Sequence, residues 1–420
     1  MSSNDLFHDK KSVYLETSPI LKFLAWGGIA LGVGAAVFGF SNGQQSRVWG
    51  AYLFNLFFFF ALGLGAMALA AITDVVGATW NRPIRRIQEA FGAFVPVGCV
   101  LFFAFVLAIG FNVLGAGSLY KWMAKPEMLE HFWGKNMWLT PMGFYFRVPL
   151  YVAIIGGVVL WQLSQTLRRD KAWAEGRLED AAYQGEVVRV KTKFWSAPIL
   201  LVLGTTFTFL CFDVTMSLSP LWFSTLWGGW QFAVMMQTLM ASLLITMFAL
   251  KNTPIGAYIK RQQFHDVGKL MHGFTVFFAY LTYAHILTYW YGNVPEETEY
   301  FIHRMHGVWL VFVCIVPIIA FVIPLYTLIF KAAKWTAIVA VPIAILILLG
   351  QWITYLILVQ PEVMDYKDFF KPIPIPVIEI GMFLGMFGLF VSTFLWFAKR
   401  YPMLPVADPL LAEALHDEHH

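Results

Sequence analysis

The sequence predicts an all-α polytopic membrane protein with about ten transmembrane helices, and three observations carry the prediction. Of its 420 residues 59% are hydrophobic and only 13% charged, with a mean hydropathy of +0.66, a balance outside the range of soluble domains. Apolar runs of roughly 20 residues, the length needed to cross a hydrocarbon core about 30 Å thick, recur along the whole chain. Lys and Arg concentrate in alternate connecting loops, as membrane topology demands.

The elements follow in order. The amino terminus, MSSNDLFHDKKSVYLETSP, is polar and has no small-residue cleavage site after the first apolar run, so the first span is expected to be retained. Residues 1–19 then form a cytoplasmic segment, 20–398 the transmembrane domain and 399–420 a cytoplasmic tail. Spans are expected at 20–40, 50–76, 88–114, 143–167, 197–218, 222–250, 264–290, 302–330, 336–358 and 373–398. Pro96, Pro317, Pro324 and Pro342 fall inside them, which a membrane bundle tolerates.

With the amino terminus inside, the inner segments carry 20 Lys and Arg and the outer loops six, Arg47, Lys121, Lys125, Lys135, Lys367 and Lys371. Arg147, Lys269 and Arg304 sit in or at the edges of spans. Both termini are therefore expected to be cytoplasmic. The one long charged connector, 168–193, reads as a solvated link with a short surface helix. The outer stretch LYKWMAKPEMLEHFWGKNMW suits either an interfacial segment beneath a peripheral partner or a plain aromatic belt.

Cys99, Cys211 and Cys314 are scattered through apolar runs, with no CxxC and no CxxCH, so they read as small buried hydrophobes. Neither an iron–sulfur cluster nor covalent haem is expected on this chain. The net charge of +4 comes from loop residues that orient the protein, so a nucleic-acid partner is not expected.

Ionisable residues inside spans are costly and mark pathways or binding sites by default. On the seventh span His265, Lys269 and His272 follow i, i+4, i+7 and share one face, which Ala279 and Tyr283 extend outward. Asp266 and Lys269 at i, i+3 can pair. Such a face suits proton relay, since histidine titrates near neutrality; the bland alternative is an interfacial helix end whose polar groups snorkel to water. Asp74 joins this inner group. The outer leaflet holds Arg147, Asp213, His285, His303, Arg304, His306 and Glu379.

Asp213 sits in a tight turn, CFDVTMSLSPLWFSTLWGGWQF, with Ser217, Ser219 and Ser224 as candidate hydrogen-bond partners. Arg147 in the same leaflet could form a structural ion pair with it; a gate or terminal proton acceptor is the sharper alternative. His272 and His285 are thirteen residues apart, but the eighth span supplies histidines only at its outer end, which leaves at most one haem between His285 and His306.

The stretches AYLFNLFFFFALGLGAMALAAI, DVTMSLSPLWFSTLWGGWQF and FHDVGKLMHGFTVFFAYLTYAHILTYWYGNVPEE resemble the F membrane subunit (ActF) of bacterial alternative complex III, a quinol-oxidising respiratory assembly. That protein is similar to the polysulfide-reductase (NrfD-like) membrane-subunit family. The resemblance covers nearly the whole chain. It implies two four-helix bundles plus flanking helices and a bacterial inner-membrane location. It also implies partners: a homologous quinol-binding membrane protein, a periplasmic iron–sulfur protein, haem c proteins and small membrane proteins, with a terminal cytochrome oxidase and lipids around them. Quinol, iron–sulfur clusters and haem c would then belong to the complex and not to this chain.

The leading expectation is a membrane subunit without redox cofactors of its own that helps move protons. An inner half-path would use Asp74, Asp266, Lys269 and His272, and an outer one Asp213, His285 and His306, with Tyr283 and Glu379 as further candidates. The runner-up is direct quinol binding at Asp213 and His306. A secondary transporter is disfavoured because Pro317 and Pro324 in the eighth span have no counterpart in the first half; a pure scaffold is the remaining alternative.

Overall fold

The computed structural model describes residues 13–16, 18–130, 134–364 and 376–416. Expectations that touch residues 1–12, His131, Phe132 and Trp133 of the outer stretch, Lys367 and Lys371, or 417–420 lie outside the described residues.

Among the described residues ten helices are long and apolar enough to span a membrane: α1 Pro19–Ser41, α2 Gln45–Val76, α3 Arg82–Gly110, α4 Pro141–Ala174, α5 Leu178–Leu218, α6 Trp227–Leu250, α7 Arg261–Gly292, α8 Val308–Leu328, α9 Ala337–Val363 and α10 Val377–Arg400. Their packing sorts them into two four-helix bundles, α2–α5 and α6–α9, with α1 and α10 paired alongside. The bundles meet through α2, which packs on α5, α6 and α9. Its core segment is almost wholly inside the protein, 94% buried, so its Phe-rich run Phe54–Phe60 faces protein all round, as a helix with apolar residues on every side should.

The α1–α10 pair rests on small residues. Gly28 and Gly32 of α1 face Leu384, Gly385 and Gly388 of α10, and a methyl group at Gly32 would come within 2.6 Å of the Gly385 Cα. Without a hydrophobic drive between helices in lipid, this close backbone approach supplies the dispersion contact that joins them. The other face of α1 leaves Phe23, Trp26 and Val33 exposed.

Val13 and Met403 lie together at one end of the bundle, where the Met403 amide donates to the Val13 carbonyl at 2.7 Å; we call it the terminal end. Three expectations are corrected here. The connector 168–193 is no separate surface helix: α4 and α5 run through it and meet at the turn Glu175–Arg177, with Gly176 at φ +81°. Its Ala, Glu, Lys and Arg content favours continued helix. The eighth span starts at Val308, because Gly307 (φ +59°) breaks the chain and Pro295–Arg304 forms its own short helix. His303, Arg304 and His306 therefore lie outside α8. Finally α3 opens with the segment Arg82–Gly92, every residue of which is buried.

α8 is interrupted by a π-helical turn at Ile318–Val322, between Pro317 and Pro324. The wider turn disturbs the i→i−4 ladder at this point, as such turns do.

Candidate functional site

At the terminal end eight charged side chains close into a ring. Asp74 pairs with Arg85 at 2.8 Å and Arg82 at 3.1 Å; Arg82 reaches Asp408 at 3.3 Å, Asp408 reaches Arg169 at 3.1 Å, and Arg169 reaches Asp170 at 2.9 Å. Asp170 pairs with Arg86, Arg86 with Glu89, and Glu89 returns to Arg85 at 3.1 Å. Every side chain in it is at most 6% exposed. Four cations alternate with four anions, which offsets the several kcal/mol that each buried ion would otherwise cost. Burial alone would raise the carboxyl of Asp408, but Arg169 and Arg82 outweigh it and hold this group below the usual carboxylate range.

Asp74 was expected to serve an inner proton path with Asp266, Lys269 and His272. The structure gives it to the ring instead, among α2, α3, α4 and the tail. The ring's arginines, Arg82, Arg85, Arg86 and Arg169, lie beyond the apolar runs and so read in the sequence as loop cations that set topology. The spacings Arg85–Glu89 and Arg86–Glu89, i+4 and i+3, were the available signal.

The α7 cluster lies apart, at the terminal end of the second bundle. Asp266 pairs with Lys269 at 2.6 Å, as the i, i+3 spacing implied, and accepts a hydrogen bond from Gln262 at 3.0 Å. Lys334 packs over Gly268, and burial, then Lys269 and Lys331, draw its ammonium below the usual lysine range.

The predicted relay face lies at the edge of the bundle: among the described residues His265 and His272 are half-buried and the Nδ1 of each is buried without a partner, while the rest of the face opens outward. His265, Lys269, His272 and Tyr283 do share one side of α7, but the Lys269 side chain is 54% exposed and Tyr283 62% exposed. The buried side runs through Phe264, Val267, Met271, Thr275, Phe278 and His285. Snorkelling thus accounts for Lys269, and the deep polar groups of α7 are Thr275 and His285.

Thr275 belongs to a polar group in the middle of the second bundle that sequence periodicity does not reveal. Gln237 of α6 donates through Nε2 to Thr275 Oγ1 at 2.9 Å and to the Ala320 carbonyl in the π turn at 2.8 Å. Gln351 of α9 donates to Gln237 Oε1. All four residues are 0% exposed. Glutamine and threonine carry no charge and so stand out little in an apolar run.

At the opposite end the described residues include three arginine–carboxylate pairs. Arg147 of α4 forks onto Asp213 of α5 at 2.7 and 3.0 Å, and Trp138 donates to the same carboxylate at 2.7 Å. The expected structural pair is present. Its serine partners are not: Ser217 donates to the Asp213 backbone carbonyl and Ser224 bonds to His285. Glu379, a path candidate, is held by Arg47 at 2.6 and 2.7 Å. Arg304 reaches Glu362 of α9 at 2.8 Å.

His285 is 6% exposed. Its Nδ1 lies 2.9 Å from the Leu281 carbonyl, which can only accept, so Nδ1 carries hydrogen and a neutral ring accepts at Nε2 from Ser224 Oγ at 2.8 Å. The imidazole borders an aromatic cavity of about 160 Å³ walled by Trp222, Trp227, Trp230, Tyr300 and Arg304. Trp222 stacks on Tyr300 at 4.0 Å, and burial raises the Tyr300 phenol to about 12.

His306 is exposed, with Nδ1 on the Ile302 carbonyl at 2.7 Å. Among the described residues no hydrogen bond or ion pair joins it to Asp213 or to His285. Among the described residues no three His, Cys, Asp or Glu side chains converge as a metal ion needs. No protein-family model matches the chain, and no curated protein matches it significantly.

Proposed function

We propose that this chain is an integral membrane component of a quinol-oxidising respiratory complex of the alternative complex III type, carrying no redox cofactor of its own and contributing to proton movement and assembly. In this reading it sits in a bacterial inner membrane with its terminal end cytoplasmic, beside a homologous quinol-binding membrane protein, a periplasmic iron–sulfur protein and haem c proteins. The single observation that carries the proton role is the row of polar groups inside the second bundle. It consists of three separate hydrogen-bonded groups at successive depths, Gln262 with Asp266, Thr275 with Gln237 and Gln351, and Ser224 with His285.

Along α7 the steps Asp266 to Thr275 and Thr275 to His285 are about 13 and 15 Å at 1.5 Å per residue. Relay along this row therefore requires bridging waters, for which the unpaired Oε1 atoms of Gln231 and Gln351 offer acceptors. The first test is to purify the tagged chain with its bound partners and record a visible spectrum. Haem c and iron–sulfur signals in the complex, lost when this chain alone is isolated, are the expected result. In that complex Gln237→Leu should lower the protons moved per electron while quinol oxidation continues; an unchanged ratio rejects the relay.

A second reading is favoured by the cavity at His285. An aromatic box with one imidazole and Tyr300 could seat a quinol ring, and would relocate direct quinol binding from Asp213 and His306 to His285. Photolabelling by a quinone analogue that reaches Trp222 or Tyr300 would support it, and labelling confined to a partner protein would reject it.

A further inference from the structure

A second cavity, of about 130 Å³, lies against the ion-pair ring at the terminal end. Its walls carry five cations, Arg82, Arg85, Arg169, Arg189 and Lys193, and two carboxylates, Asp74 and Asp408. The ring is neutral as a whole, but Glu89 and Asp170 are not among the lining residues. Three of its four arginines border the cavity while only two of its four carboxylates do.

Arg169 is 2% exposed and its Nη2 has no hydrogen-bond partner among the described residues. A buried guanidinium N–H left unpaired is costly, and an acceptor in the cavity it borders would remove that cost. At the rim Arg189 is paired with Glu186 at 2.8 Å, whereas Lys193 has no ion pair among the described residues. Thr166 and Thr192 also line the wall, but their hydroxyls donate to the Leu163 and Arg189 carbonyls, so the donors that face the cavity are the cationic side chains. A cavity of about 10–15 Å³ on this measure holds one water, so the volume leaves room for one tetrahedral oxyanion.

We propose that this cavity binds a phosphate oxyanion, supplied by the headgroup of an anionic phospholipid. Planar guanidinium forks suit phosphate oxygens, and basic pockets between spanning helices are suited to such headgroups. The lipid source follows from the surroundings. Val76, next to the cavity wall at Gly77, is 69% exposed, and Val190 and Phe194 on α5 are 61% and 69% exposed. This apolar rim offers acyl chains a surface beside the charged pocket, which a soluble phosphate would not use.

The test uses the full chain in neutral detergent and follows thermal unfolding during titration with phosphatidylglycerol, phosphatidylcholine, or inorganic phosphate, with chloride matching the ionic strength. The variant is R189A/K193A, altered only at the half-exposed rim and outside the ring. Phosphatidylglycerol should raise the melting temperature at a concentration about tenfold lower for the wild type than for the variant, and native mass spectrometry should find one such lipid retained by the wild type and lost from the variant. Equal shifts and equal retention in both proteins would overturn the site. An equal shift with phosphatidylcholine would overturn the preference for an anionic headgroup. Inorganic phosphate that reproduces the shift and displaces the lipid would keep the oxyanion site but overturn the lipid source.

Discussion

Arg86 of α3 donates to Asp170 of α4 with both side chains out of contact with solvent, so a single guanidinium joins two helices of the first bundle at its most charged point. The same guanidinium bonds Glu89 and the Thr166 carbonyl. Removing one partner leaves the rest of the ring buried and uncompensated. Asp170→Asn is expected to destabilise the protein by about 3–5 kcal/mol, the usual cost of breaking a buried pair. Lys171→Ala, one residue along and 75% exposed, should cost less than about 0.5 kcal/mol. Thermal unfolding of both variants in detergent checks the contrast, and equal effects would mean that the ring does not hold the bundle.

Gly32→Ala and Gly27→Ala should act in opposite directions although they lie five residues apart on one helix. A methyl group at Gly32 would meet the Gly385 backbone at 2.6 Å, where no flexible side chain can yield, while Gly27 has open space around it. Gly27→Ala gains helix propensity, about 0.5–1 kcal/mol. Gly32→Ala should prise α1 from α10, seen as faster proteolysis of α1 and a lower melting temperature.

The large architecture was legible because lipid imposes it: ten apolar runs became ten helices, and the Arg147–Asp213 pair could be anticipated from depth alone. The polar site was less legible, for two physical reasons. A cation beyond a span end reads as a topology signal, yet Arg82, Arg85 and Arg86 fold back into the protein and are buried. Periodicity puts His265, Lys269 and His272 on one face but cannot say which face meets the bundle; the neighbouring stripe of Phe264, Val267, Met271 and Phe278 is the more apolar and took the inside. Gln237 and Gln351 carry no charge, so only packing showed that they meet.

Lys135 predicts a pH dependence outside the membrane. Its ammonium donates to the Pro220 and Trp222 carbonyls at 2.8 and 3.2 Å, and burial lowers its pKa to about 8, against a smaller raising effect of Glu297. Between about pH 8 and the unfolded lysine value near 10.4 the unfolded chain binds the extra proton and the native one does not. Stability from this group therefore rises with pH through that window. The melting temperature of the wild type should climb relative to Lys135→Met between pH 8 and 10; a constant difference would remove the assignment.

The relay and structural roles at the opposite end separate in one comparison, Asp213→Asn against His285→Gln. Asp213 is fully buried and its carboxylate accepts from Trp138 and twice from Arg147. Asparagine keeps the shape but turns an amide towards a cation whose side chain is only 17% exposed. The loss should be about 2–3 kcal/mol, just under the range for a fully buried pair, and proton movement in the surviving folded fraction should be unchanged. His285→Gln is the converse. A glutamine carbonyl can still accept from Ser224, so the stability cost should stay near 1 kcal/mol, but the side chain can no longer take up a proton. If His285 relays protons, protons moved per electron fall while quinol oxidation continues. If it holds quinol, oxidation itself slows and the KM for quinol rises. If neither changes, the imidazole is a buried tie between α7 and the Ser224 turn, and the polar row through Gln237 ends short of the opposite face.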